Sequence, residues 1–404
     1  MRNIFLHIRN NLFYRILIFS ISFLILIAVG MLRGGDTANV DLSYLYSAGK
    51  IWSNGKSPYV SDEFVQIVRQ LVPSRDVKEL VFVYPPWGSL FCIFISKFSF
   101  FEATIIFKMT NLLALFTVIK YSLKSISPDP TPWSFFSILN NLFTRKNWIF
   151  SSLIFILPPV STVFWLGQTS LIALAALVLS WNYYLSKRWV LSGIFLSIAS
   201  IKPQISLLVL IWFLLERQWK ILAITSGILV LSCIPSFVSH SSLVVISDWL
   251  KSIQAYTATP LNTEMGGTYM FTVRNLLYLM GVKTFSLIGV STLLCGLVWQ
   301  YKDKLRSGDI LPIIMMIALL FCSSHLYDLV MIIPAMAVLW KYFSVSGVRK
   351  IFGLISFMIV MAPARVFDTP FFLGSRILVA TILLATLISF SYSSRKEYVQ
   401  NASR

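Results

Sequence analysis

Apolar runs recur from one end of this chain to the other, separated by short basic clusters, and that alternation leaves few folds open. The first run is Ile16 to Leu32. From Trp148 onward, further runs lie near 148–165, 168–186, 189–201, 203–215, 219–237, 285–301, 310–324, 327–343, 351–363 and 377–392. Segments of this kind read as helices in a bilayer, where backbone groups must be satisfied within the segment itself. Of the 404 residues 57% are apolar and only 12% charged, against about 25% charged in soluble chains. The fold class is therefore an all-α polytopic membrane protein.

Arg2, Arg9 and Arg15 precede the first run, as in a signal peptide, but the run ends at Met31-Leu32-Arg33 without a small-residue cleavage site. It reads as a retained first span with a cytoplasmic N-terminus. The formal net charge of +18 suggests a polyanionic partner at first sight. The cations, however, sit between the runs: Lys187-Arg188, Arg217 with Lys220, Lys302/Lys304/Arg306, Arg349-Lys350 and Arg395-Lys396. That is the positive-inside pattern of a multi-span protein, and it leaves no role for nucleic acid. Cys92, Cys233, Cys295 and Cys322 fall inside apolar runs with no CxxC or Cys/His grouping. Neither a disulfide framework nor a metal site is indicated.

Placing every basic cluster on the cytoplasmic side gives about 12 to 14 membrane-embedded helices in a single domain over residues 1–404. Two outer loops result, at 34–83 and 238–284, and both are expected to carry interfacial helices. Ten of the 16 acidic residues then face outward. Between Tyr84 and Arg145-Lys146 the chain crosses either once or three times. No internal repeat is visible.

Polar chemistry thus belongs to the outer face. The first loop holds Asp41-Leu42-Ser43-Tyr44 and ends in Val83-Tyr84-Pro85-Pro86. Asp41 opens a helix, either as an N-cap or as a carboxylate able to take a proton from a sugar hydroxyl. Gln168, after Trp165-Leu166-Gly167, is an interfacial polar residue or a hydrogen-bonding partner for sugar hydroxyls. Lys202-Pro203 separates two half-length apolar runs, so the ammonium either snorkels to water or meets an anion such as phosphate. Arg274 lies on a surface segment, where it touches lipid headgroups or holds a phosphate. His325 and Asp328 mark an outward turn between spans. No HExxH, GxSxG, Walker or Rossmann pattern is present.

Taken in order, several of these pieces resemble glycosyltransferase family 87. They are Asp41 with Tyr44 and Ala48-Gly49; Gly55 with Tyr59; Tyr84-Pro85-Pro86; Gly167-Gln168; Gly193 leading to Lys202-Pro203; Arg274; and Ser324-His325 with Asp328. The family uses polyprenol-phosphate sugars, has the GT-C fold, and includes the mannosyltransferases of phosphatidylinositol mannosides. The resemblance implies Asp41 as the catalytic residue. The residues themselves suggest Lys202 and Arg274 on the donor phosphate, and Tyr44, Tyr84, Gln168, His325 and Asp328 as sugar or acceptor contacts. The resemblance further implies a membrane enzyme in the bacterial cytoplasmic (inner) membrane; no cofactor is called for, and a donor with one phosphate does not demand a metal. Such an enzyme transfers one sugar, mannose or another hexose or pentose, from a polyprenyl-phosphate donor to a lipid or glycan acceptor on the outer face. Its partners are those substrates and the membrane lipids. The competing readings are a transporter or lipid flippase, which paired repeats would favour, and an envelope-polymer ligase or polymerase.

Overall fold

A computed structural model describes residues 11–35, 38–59, 61–72, 80–126, 148–238, 241–259, 270–282, 286–322, 324–343, 347–362 and 370–402. Asp36, the run near 134–143 and the Gly266-Gly267 segment lie outside these residues. Helix α1 (Leu12–Leu26) runs on as a π turn (Ile27–Met31). There follow α2 (Val40–Ser53), α3 (Asp62–Leu71), α4 (Ser89–Ser96), α5 (Phe100–Ile126), α6 (Trp148–Phe155) and α7 (Pro158–Leu166). The middle of the chain forms α8 (Ser170–Leu185), α9 (Trp189–Ala199), α10 (Pro203–Leu215), α11 (Trp219–Phe237) and α12 (Ser242–Thr257). The remainder is α13 (Val273–Leu279), α14 (Ile288–Gln300), α15 (Ser307–Phe321), α16 (Ile333–Phe343), α17 (Gly347–Met361) and α18 (Pro370–Ala402).

Among the described residues, five helical stretches are long and apolar enough to cross a bilayer: Leu12–Met31, Phe100–Leu123, Trp219–Phe237, Leu326–Phe343 and Leu373–Arg395. Helices α6 and α7, bent by 46° to each other, supply a broken span or a re-entrant loop. The protein is a multi-pass membrane protein. Most of its other apolar helices have 10 to 17 residues and cannot cross alone. Between Tyr84 and Ile126 only α5 can cross, because α4 has 8 residues and a rise of about 12 Å.

The chain divides into two compact units. One comprises residues 1–30, 114–161 and 270–404. Its core is α15, which buries every residue from Asp309 to Leu320. Phe155 of α6 packs edge-on against Phe19, Phe23 and Phe116, with centroids 5.1, 5.5 and 5.9 Å away.

The other unit comprises residues 31–113 and 162–269. In the 34–83 loop the expected helix forms. It is α2, and ten of its 14 residues are buried against protein, including Leu42, Leu45, Tyr46 and Ile51. Gly49, without a side chain, lets α2 lie directly on α4. Helix α3 starts at Ser61, whose hydroxyl accepts the Phe64 N–H (3.2 Å). It turns Phe64 inward towards Phe82, whose ring has Trp52, Tyr59, Phe64 and Tyr84 within 5.4 to 5.9 Å. The loop thus has an aromatic core of its own.

Farther along, α8 and α9 are laced by Ser180 and Ser192, each hydroxyl donating to the other's carbonyl at 2.9 Å. Thr225 of α11 donates to the Gly193 carbonyl (3.1 Å). Such small and hydroxyl residues let helices approach closely in lipid. Although no repeat shows in the sequence, the turns α8–α9 and α10–α11 are built alike. In one, Lys187 N–H donates to Tyr184 O and Arg188 N–H to Tyr183 O (2.9 and 2.8 Å). In the other, Arg217 N–H donates to Leu214 O and Gln218 N–H to Phe213 O (3.0 and 2.9 Å). Both are full Schellman endings. Lys187 and Arg217 hold the left-handed position, at φ 58° and 54°, at a cost of about 1–2 kcal/mol for a residue with a Cβ.

Candidate active site

Five of the eight candidate residues lie in the second unit: Asp41, Tyr44, Tyr84, Gln168 and Lys202. Four consecutive residues, Gly167 to Ser170, tie most of them together. Gly167 is left-handed (φ 70°) and packs against the first turn of α2: a Cβ there would lie 2.7 Å from Leu42 Cβ. The same turn of α2 is held by Asn39 N–H donating to Trp165 O (2.7 Å). Gln168 Oε1 lies 3.5 Å from the Tyr84 hydroxyl and Thr169 Oγ1 lies 3.3 Å from it. Ser170 Oγ accepts from Lys202 Nζ at 2.7 Å. One turn therefore touches the helix start that bears Asp41, the Tyr84 phenol and the Lys202 ammonium.

Asp41 is not the N-cap. That position belongs to Asn39, which sits in the left-handed region (φ 57°) and makes no side-chain cap bond. Asn tolerates this conformation better than other residues with a Cβ, so it starts the helix two residues early. Asp41 consequently stands in the first turn, half-buried, where the helix dipole favours a negative charge. Tyr44, one turn on, faces the Phe64 ring (5.8 Å).

Tyr84 is fixed at both ends. Its carbonyl accepts from the Tyr59 hydroxyl (2.8 Å), and burial holds the Tyr59 phenol well above its ordinary range. Tyr59 therefore stays a neutral donor.

Lys202 is 4% exposed. Pro203 ends the backbone ladder from α9 and begins α10, so the lysine occupies the junction that the sequence led us to expect. Nearby, Trp87 Nε1 donates to Ser200 O (2.7 Å), and Trp249 of α12 donates to Val83 O (3.1 Å). These bonds fasten the Val83–Pro86 segment beside the junction.

The remaining candidates lie in the first unit. Arg274 is exposed on α13, which begins at Thr272 with the hydroxyl accepting from Asn275 N–H (3.2 Å). The bridge Met270–His325 and the Phe271 N–H bond to Ser324 O (2.8 Å) join this segment to the turn before α16. His325 is half-buried, its ring stacked on Tyr327 at 5.1 Å and 5°. Asp328 is fully buried, and its Oδ2 accepts the His325 N–H (3.1 Å). It closes the turn that presents His325.

Three residues missed at the sequence level belong to these constellations. Thr169 and Ser170 follow Gln168 as a hydroxyl pair at a helix start, a recognisable signal. Arg376 is an arginine inside an apolar run, the same signal that singled out Lys202. It is 2% exposed. Its Nε and Nη2 donate to Val360 O at 3.0 and 2.6 Å, and its guanidinium lies 5.6 Å from the Phe271 ring. Among the described residues no three His, Cys, Asp or Glu side chains group as a metal site would need.

A comparison with curated proteins finds no match. The profile of glycosyltransferase family 87 matches residues 82–324, more than half of the chain. That span takes in Tyr84, the Gly167–Ser170 turn, the Lys202 junction and Arg274. With its all-helical membrane architecture, the chain belongs to glycosyltransferase family 87, a family of GT-C membrane glycosyltransferases.

Proposed function

We propose that this membrane glycosyltransferase takes a single sugar from a polyprenyl-phosphate carrier and transfers it to a lipid or glycan acceptor on the outer face of the bacterial cytoplasmic membrane. The observation that carries the proposal is the Gly167–Ser170 turn, which links the Asp41 helix start to the Lys202 ammonium. Asp41 acts as general base. It takes the proton of the acceptor hydroxyl as the acceptor oxygen bonds to the anomeric carbon. The bond from that carbon to the phosphate oxygen breaks, and its electron pair leaves with the lipid phosphate. Attack opposite the leaving group inverts the anomeric carbon.

The leaving phosphate needs charge stabilisation more than a proton. Lys202 supplies it next to the N-terminus of α8, a 16-residue helix whose dipole also favours an anion there. Tyr84 and Gln168 hold sugar hydroxyls, with Tyr44 beside Asp41. From the sequence pattern alone, Arg274 is assigned to the donor phosphate and His325 to sugar or acceptor. Asp328 acts through His325 by fixing its backbone.

Asp41→Asn tests this reading. The variant keeps size and shape, and Asp41 is not the helix cap, so stability should change by less than about 1 kcal/mol. Sugar transfer should fall by about 10²–10⁴-fold, the scale for a general base, with donor binding retained. Asp62→Asn, an exposed acid in the first turn of α3, is the control and should remain active. Near-parent transfer by Asp41→Asn removes Asp41 as base.

A further inference from the structure

Among the described residues, three helix endings besides the Schellman turns at Lys187 and Arg217 place a residue in the left-handed region. Lys56 N–H bonds Ile51 O past Gly55, Gln168 N–H bonds Val163 O past Gly167, and Val282 N–H bonds Leu277 O past Gly281. In all three the left-handed residue is glycine, at φ 70°, 70° and 79°, as sterics favour. The sequence topology puts these three turns on the outer side. The two turns that keep a strained long cation belong to the opposite side.

Those two turns are also neighbours. The Tyr184 hydroxyl donates to Glu216 Oε2 (3.3 Å), and the Tyr184 ring lies 5.0 Å from Phe213. Lys187 follows Tyr184 by three residues and Arg217 follows Glu216 by one, so this clasp sets the turns side by side. The nearby acid, Glu216, is thereby engaged, while Lys187, Arg188, Arg217 and Lys220 are exposed. Trp219, 61% exposed, stands at the start of α11, and an exposed Trp at a helix start suits the headgroup layer. A helix-dipole effect explains a cation at one such ending. It does not explain why glycine is avoided at both members of one clasped pair and used elsewhere.

We infer that the paired Lys187 and Arg217 turns form a docking site for the phosphate of an anionic phospholipid in the leaflet opposite the transfer site. The strained left-handed cations present their charge outward from the helix ends, and Arg188, Lys220 and Trp219 complete the surface.

The test uses the full chain in an uncharged detergent, with the double variant Lys187→Gly/Arg217→Gly. Glycine suits both turns, so this variant should fold and melt no lower than the parent. Phosphatidylglycerol should raise the melting temperature of the parent above the value reached with phosphatidylcholine, and native mass spectra should show the anionic lipid retained. In the double-glycine variant the phosphatidylglycerol-specific rise should vanish and retention weaken about thirtyfold, the scale for two surface cations. Exchanging the cations (Lys187→Arg/Arg217→Lys) should preserve both effects. An equal phosphatidylglycerol response in the glycine variant overturns the site, as does no such response in the parent. A matching response to inorganic phosphate alone overturns the lipid assignment.

Discussion

Gly49→Ala adds a single methyl group, yet it should be among the most damaging small changes to this protein. A Cβ at Gly49 would stand 2.0 Å from the Cys92 carbonyl oxygen, 2.5 Å from Cys92 C and 2.8 Å from Ser96 Cβ. Two of these atoms are backbone and cannot rotate away. Restoring contact at about 3.5 Å needs α2 and α4 to separate by about 1.5 Å along that line. A gap of even 0.5–1 Å forfeits about a quarter to a half of each contact's attraction, and α2 buries ten residues. Overpacking costs about 1–3 kcal/mol, occasionally more, and a rigid backbone obstacle puts Gly49 at the upper end. Alanine's helix propensity returns about 1 kcal/mol. The net expectation is a loss of about 2 kcal/mol or more, read as a lowered melting temperature by tryptophan fluorescence, with buried Trp52 on α2 as a local reporter. Since α2 carries Asp41, transfer should fall as well, by about 10²-fold for a displacement near 1 Å. Gly227→Ala is the contrast, because a Cβ there meets nothing within 4 Å. It should leave stability within about 1 kcal/mol of the parent. A Gly49→Ala protein that melts with the parent and transfers sugar normally would refute the close approach of α2 to α4.

Lys202→Met retains the apolar stem and removes the charge; donor turnover should drop by about 10²–10³-fold, the scale for one electrostatic donor, while the protein still inserts. Unchanged donor affinity and turnover would return Lys202 to a purely structural role. Arg376→Met strips both donors from the Val360 carbonyl, so melting should reveal a loss of about 1–3 kcal/mol. Arg376→Lys should recover only part of it, since an ammonium lacks the guanidinium fork, and full recovery would count against that geometry. Reporter fusions after Gly35 should read outside and fusions after Arg188 and Lys304 inside; an inside signal at Gly35 puts Asp41 on the wrong face for the proposed donor.

Much of the fold was legible because the bilayer enforces simple rules. Pro203 and Trp219 mark helix starts in the sequence and in the structure alike, and the run 219–237 is reproduced as α11. Hydropathy pointed to a helix at α2 but not to its close packing on α4 through Gly49. Asp41 was read as opening this helix, whereas the left-handed backbone at Asn39 starts it two residues earlier. Gln168 and Lys202 stood out as polar groups in apolar surroundings. Their link through Ser170 did not, because a serine at a helix start carries no mark of its long-range partner. Nor did the likeness of the two basic turns appear, since Lys187-Arg188 and Arg217-Gln218 share geometry more than sequence.

On the topology read from the sequence, the shortness of α10 would set how deep the proposed chemistry lies. Its 13 residues rise about 20 Å, so a start at the Arg217 turn places Lys202 about two-thirds of the way through a hydrocarbon layer of about 30 Å. The ammonium then sits about 10 Å beneath the opposite surface, farther than a headgroup phosphate normally descends. Either the lipid must sink or the bilayer must thin to meet it. With Lys202 on the donor phosphate as proposed, the enzyme's working partner would be a locally pinched membrane, and lipid chain length would become a variable of catalysis rather than a passive setting for it.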